Sequence, residues 1–303
     1  MITCTKASAV LGEALAGTAA VARTWLLLEQ PGPWGAKALR SSRLDPVVGR
    51  ELERLAEGTG VRVALIRRPG PHADRHRPSR RRVLLAHTSP DNPWVRTADL
   101  TDPAELTALD FAALGSGSPG DFGAPHRGAP IALVCTNGRR DRCCAVHGRP
   151  LADELAASGD HEVWEITHLG GHRFAPTMLV LPHGYTYGRL DGHHAKDILE
   201  SARAGRVVVT GCRGRSAWDR PGQAAELAIR ELTGEARADA LTVARTDPAP
   251  DGWTVRLAHL DGRVWQVAVA RLPALPPRPE SCGAPLGTPE QMAVTGIEQA
   301  EGH

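Results

Sequence analysis

A chain of 303 residues with a 42% hydrophobic and 23% charged share holds enough apolar material for two ordinary cores, which excludes a disordered tract or a fibrous repeat. Its formal net charge of +2 leaves no nucleic-acid footprint, and no apolar run reaches the ~18 residues of a membrane span. The start of the chain carries Lys6 and Glu13 among glycines rather than a basic head and an unbroken apolar stretch, so a cytoplasmic location is expected.

In chain order, TWLLLE at 24–29 reads as a short apolar strand followed by the turn-forming QPGPWG. A helix is expected at 46–57, with Val47, Val48, Leu52 and Leu55 at helical spacing, then strands at 61–66 and 82–86. The Gly-, Pro- and Ser-rich stretch LGSGSPGDFGAPHRGAP reads as a linker. Beyond it the same plan recurs. A strand at 131–134 leads into the loop CTNGRRDRCC, a helix at 150–157, a strand at 162–167, the loop HLGGHR and a strand at 178–181. Strand, loop, helix, strand, loop, strand is the outline of a thioredoxin-like α/β unit, which suggests an internal duplication whose first copy lacks the cysteine loop. Helices at 195–204 and 221–232 flank a short strand at 207–210, and strands at 241–244, 254–259 and 264–269 follow, with Asp261-Gly262 turning a hairpin. The expected organisation is an N-terminal α/β domain at 1–115, a linker at 116–130, a thioredoxin-like domain at 131–235, a β-hairpin extension at 236–271 and a Pro-rich irregular tail at 272–303.

The cysteines are Cys4, Cys135, Cys143, Cys144, Cys212 and Cys282. In a reducing compartment the clustering of three of them favours metal or redox chemistry over disulfides. Cys135 follows an apolar strand, with Cys143 and Cys144 across a charged loop; His168 and His172 follow another strand, separated by Leu169 and two glycines. Two glycines argue against a zinc-protease helix, and a loop at a strand end is the better placement. If the two strands are neighbours, both loops emerge at one edge and the ligands converge. Soft thiolates with imidazoles suit zinc or an iron–sulfur centre. The wide cysteine spacing disfavours a structural zinc site, whose cysteines usually lie two to four apart, without excluding Zn2+. A thiol oxidoreductase using Cys135, Cys143 and Cys144 is a third reading, weakened by the absence of Cys-x-x-Cys. Cys4, Cys212 and Cys282 read as small buried or peripheral side chains, and Cys282 is not expected to fold back to the site. Arg67, Arg68, Arg75, Arg77, Arg80, Arg81 and Arg82, with His72 and His76, form a basic cluster that suits either a solvated loop or the docking of an acidic redox partner.

CTNGRRDRCCAVHG, HLGGHRFAPT and LPHGYTYGRLDG, with LLLEQPGPWG, CRGRSAWDRPGQAAE and ESCG, resemble the sucrase/ferredoxin-like family along nearly the whole chain. The resemblance implies a thioredoxin-like ferredoxin with a [2Fe–2S] cluster held by Cys135, Cys144, His168 and His172, with Cys143 as the possible substitute for Cys144. No pair of glycosidase carboxylates is evident, so no sucrose cleavage is expected and an electron carrier is favoured over a stand-alone enzyme. Two thiolates and two neutral imidazoles would neutralise an oxidised +2 core, raising the potential relative to four thiolates and making it depend on pH. Arg139, Arg140, Asp141 and Arg173 are expected around the ligands, with Asp141 ordering the loop through an Arg pair and Phe174 and Pro176 excluding water. No nicotinamide or flavin fingerprint follows a strand, so electrons are expected from a partner protein or a small-molecule reductant.

Overall fold

The computed structural model of the chain describes residues 3–70 and 78–300. A short helix, α1 (Cys4–Val10), precedes β1 (Thr24–Glu29), whose residues are all buried because its sheet is covered on both faces. The pleat sends Leu26 and Leu28 into one core layer and Trp25 and Leu27 into another. Helix α2 (Pro46–Ala56) is started by Pro46 in its first turn and by the Asp45 carboxylate, which accepts from the Val47 amide. β2 (Val61–Arg67) returns parallel to β1, and β3 (Arg81–His87) and β4 (Trp94–Leu100) add antiparallel on the other side. A short helix, α3 (Phe111–Gly115), and a two-residue strand, β5 (Ala124–Pro125), complete this half.

The second half repeats the arrangement. β6 (Ile131–Cys135), α4 (Arg142–Ala157) and β7 (Glu162–Ile166) form a parallel strand–helix–strand unit, to which β8 (Thr177–Leu181) and β9 (Tyr185–Gly188) add antiparallel. Helix α5 (Gly192–Arg203), β10 (Cys212–Arg215) and helix α6 (Arg220–Thr233) follow. The sheet runs β10-β9-β8-β6-β7-β2-β1-β3-β4-β5, so the order β7-β6-β8-β9 repeats β2-β1-β3-β4 in both sequence and strand direction.

The α/β class follows from these hydrophobic runs, but the halves are not separate domains divided by a linker at 116–130. Antiparallel pairing of β2 with β7 makes one ten-stranded sheet. One core layer joins Trp25, Leu27 and Ile66 of the first half to Ile131, Leu133 and Trp164 of the second. A buried strand edge must find partners for its backbone groups, and each half supplies the edge the other needs. The seam also carries a buried ion pair, Arg67 to Glu165 at 2.5 Å, and the Thr136 hydroxyl donates to the same carboxylate at 2.8 Å.

A second, antiparallel sheet contains β11 (Leu241–Ala249), β12 (Gly252–His259), β13 (Val264–Pro273) and β14 (Glu290–Ala300) in chain order. The expected hairpin extension is therefore a four-stranded sheet, and the tail is irregular only in part. Residues 274–289 lack regular strands, whereas β14 pairs along β13 and sends Met292, Val294 and Ile297 into the core under α6. The prolines before it conceal this apolar face in the sequence. The stretch at 207–210 is not a strand; the neighbouring strand is β10.

The described arginines of the basic cluster are tied into the fold. Arg67 meets Glu165, Arg68 lies 3.6 Å over the Trp164 ring, Arg82 pairs with Asp99 at 2.9 Å, Arg80 donates to the Asp99 carbonyl and Arg81 to Gln30. His72, Arg75, His76 and Arg77 lie outside the described residues. Among the described residues, no helix is long and apolar enough to cross a membrane.

Helix α6 packs Ala225 and Ile229 against the second sheet and is tied to β9 of the first by a buried charge network. Arg230 pairs with Glu226 at 3.0 Å and donates to the Tyr185 hydroxyl at 2.9 Å, and Tyr185 donates to Glu226. Burial and the adjacent Glu226 carboxylate push the Tyr185 hydroxyl well above its ordinary pKa, so it stays a donor. Replacing Glu226 with Ala leaves the Arg230 charge buried without its carboxylate and is expected to cost about 3–5 kcal/mol. Equilibrium urea unfolding measures this; a loss below ~1 kcal/mol would show that the ion pair does not hold α6 to the ten-stranded sheet.

Candidate metal centre

Cys135 closes β6 and is buried because that strand lies inside the sheet. Helix α4 starts at Arg142, well before the expected start at Pro150. The signal is Asp141, whose carboxylate accepts from the Cys143 amide at 2.8 Å as an N-cap. Pro150 lies inside the helix at an exposed position, where the missing donor is tolerated. The CTNGRRDRCC segment is thus a loop only as far as Asp141.

This early start decides where the adjacent cysteines point. Successive helix residues are separated by about 100° around the axis, so Cys143 and Cys144 cannot face the same neighbours. Cys144 turns into the core layer that contains Cys135. Cys143 turns the other way, 3.1 Å from the Cys282 sulfur and 3.7 Å from that of Cys4. Close contact between α4 and β6 requires Gly148, where a Cβ would lie 2.1 Å from the Cys135 carbonyl oxygen.

His168 and His172 leave the end of β7, the parallel neighbour of β6, so both loops open at the same sheet edge. Gly170 and Gly171 both adopt left-handed φ values, +76° and +64°, and a Cβ on Gly171 would strike the Arg213 guanidinium at 2.2 Å. The reversal brings the two imidazoles to 5.4 Å between ring centroids, with His172 in a 3-10 turn. Among the described residues, the Nδ1 atoms of both histidines are buried without a hydrogen-bond partner. The four expected ligands therefore gather at one end of the sheet. The first half supports their loops, since Arg62 donates to the His168 carbonyl at 3.1 Å and Asn137 to that of Gly35.

Cys135 is the thiol of this group that ionises most readily. Hydrogen bonding from Cys144 is the largest cause, outweighing burial, and His168 and the Leu169 amide add to it. When protonated, the Cys135 thiol donates to the Thr167 carbonyl at 2.9 Å. Cys144 is correspondingly pushed far up by Cys135 and by burial. The pair therefore holds one proton between its two sulfurs, and ionising both would require a cation beside them.

The surrounding residues take roles that differ from the expected ones. Arg139 and Arg140 are exposed. Among the described residues Asp141 forms no arginine pair: it caps α4, accepts from the Cys282 amide at 2.8 Å and lies 3.8 Å from His172 Nε2. Arg173 is buried between Glu13 at 2.7 Å and Glu280 at 3.3 Å, over the ring of the fully buried Phe174.

Cys282 does fold back, against expectation. Cys4, Asp141, Cys143 and Cys282 form a second donor group, with all ligand atoms within 4.8 Å of one another. This Cys/Asp group is able to bind a metal ion. Sequence reasoning missed Cys4 and Cys282 because 139 residues separate each from Cys143, and no local pattern links them.

The family model described as sucrase/ferredoxin-like matches residues 15–214. The chain belongs to the sucrase/ferredoxin-like family. The matched region of this family member contains Cys135, Cys143, Cys144, His168 and His172, whereas Cys4, Cys282 and the second sheet lie outside it. No curated protein and no solved structure matches the chain.

Because the Gly148 Cβ position is blocked by backbone, Gly148→Ala must push α4 away from β6. The expected cost is about 1–3 kcal/mol in urea unfolding. An unchanged midpoint and slope would show that α4 does not depend on this contact for its place over Cys135.

Proposed function

We propose that Cys135, Cys144, His168 and His172 hold a [2Fe–2S] cluster and that the protein works as an electron carrier or redox-responsive protein. One observation carries this reading: two core-facing thiols share a sheet edge with two imidazoles whose buried Nδ1 atoms have no hydrogen-bond partner among the described residues, in a member of the sucrase/ferredoxin-like family. Such a cluster, when bound, supplies one reversible electron and is neutral in its oxidised form with this ligand set.

The residues around the ligands prepare the site. Cys135 is held towards the thiolate, and Cys144 must give up its proton to ligate. Leu169 and Phe174, both fully buried, exclude water beside the histidines. Arg62 and Arg213 place positive charge near Cys135, and Arg213 also donates to the Gly170 carbonyl at 3.0 Å, fixing the loop between the histidines. The histidines are the less buried pair, whereas Cys135 and Cys144 are almost fully covered. Electron exchange with a partner protein or a small reductant is therefore assigned to the imidazole side.

Anaerobically purified protein is expected to be coloured and to contain iron and acid-labile sulfide in equal amounts. A colourless protein free of iron would remove this reading. Replacing His168 or His172 with Cys should retain a cluster and lower its potential by on the order of 100 mV or more, because an anionic ligand replaces a neutral one. An unchanged potential in protein-film voltammetry would take the histidines out of the ligand set.

A further inference from the structure

The second donor group is built from three segments that are remote in sequence. Cys4 opens α1, Asp141 and Cys143 begin α4, and Cys282 comes from the irregular stretch between β13 and β14. The three sulfurs are 3.1, 3.5 and 3.7 Å apart, and the Asp141 oxygens lie 3.8 and 3.9 Å from the Cys4 sulfur.

These separations decide between the available chemistries. A disulfide brings two sulfurs to about 2.05 Å and would leave the third thiol without a partner. An iron–sulfur cluster places its own irons and sulfides between the ligands and holds cysteine sulfurs well apart. A single tetrahedral ion with bonds of about 2.3 Å to sulfur holds them about 3.8 Å apart, which this triangle reaches by sub-ångström movements. Three thiolates and one carboxylate suit zinc better than the hard cations magnesium or calcium. The carboxylate is already oriented, since the Cys143 and Cys282 amides each donate to it at 2.8 Å, the kind of outer support that metal ligands receive.

We propose that Cys4, Cys143, Cys282 and Asp141 bind one Zn2+ ion as a structural clasp, separate from the Cys135/Cys144/His168/His172 centre. The clasp fastens α1 and the irregular tail over the turn that carries His172. A set of polar contacts follows the same path. The Thr5 hydroxyl donates to the His172 carbonyl at 3.2 Å, Arg278 pairs with Glu13 at 2.9 Å, and Arg173 bridges Glu13 and Glu280. Cys4 and Cys282 lie outside the region matched by the family model, whereas Asp141 and Cys143 lie inside it.

Metal analysis of the full-length protein, purified without chelators or immobilised metal, tests the clasp independently of the iron centre. About one zinc per chain is expected, released as the thiols are titrated with an organomercurial. Cys282→Ser, a change at the least buried of the three cysteines, should lose most of the zinc while iron, sulfide and visible absorption stay unchanged. Cys144→Ser should do the reverse, keeping zinc and losing iron. Wild-type protein without zinc, or with a Cys143–Cys282 disulfide in its peptide map, would overturn the proposal without any variant. Zinc retained in Cys282→Ser, or lost only together with iron in Cys144→Ser, would also overturn it.

Discussion

The Asp141 carboxylate accepts from the Cys143 amide through one oxygen and from the Cys282 amide through the other, and it lies 3.8 Å from His172 Nε2. This side chain starts α4, and the start fixes the rotation of the helix, which sends Cys144 towards Cys135 and Cys143 towards Cys4 and Cys282. A helix begun a residue earlier or later would turn both thiols by about 100° and break both donor groups. The same carboxylate anchors the returning tail. Burial raises its cost as a charge, but the two amides and the nearby His172 outweigh that and hold its pKa below the ordinary value.

The sheet supplies the other half of the constraint. Parallel β6 and β7 end side by side, so the cysteine loop and the histidine loop must share one edge. The first half of the chain has the same strand order but turns with QPGPWG where the second has cysteines. It contributes by joining β2 to β7 and by holding the carbonyl of His168 through Arg62. The repeated halves thus divide their work: one carries the ligands, and the other supports the strand from which the histidines leave.

Much of this was legible in the sequence. The apolar runs marked β1, β6, β7 and β8 to within a residue at each end, because strands buried on both faces contain little else. The glycines between His168 and His172 foretold a loop, and both take left-handed φ values. Helix α4 starts eight residues before the expected Pro150, because the Asp141 cap hydrogen bond prevails over the stronger local signal of the proline. The joining of the halves, the strand after the prolines and the meeting of Cys4, Cys143 and Cys282 depend on contacts between distant segments, which no local periodicity encodes.

The central claim concerns ligation by two thiolates and two imidazoles at the ends of β6 and β7. Electron–nuclear double resonance of the reduced protein, labelled with 15N at histidine, reads this ligation directly. Two strongly coupled histidine nitrogens are expected, and both should persist in Cys143→Ser. A reduced centre without histidine coupling, or one whose signal disappears with Cys143 rather than with Cys144, would contradict the claim.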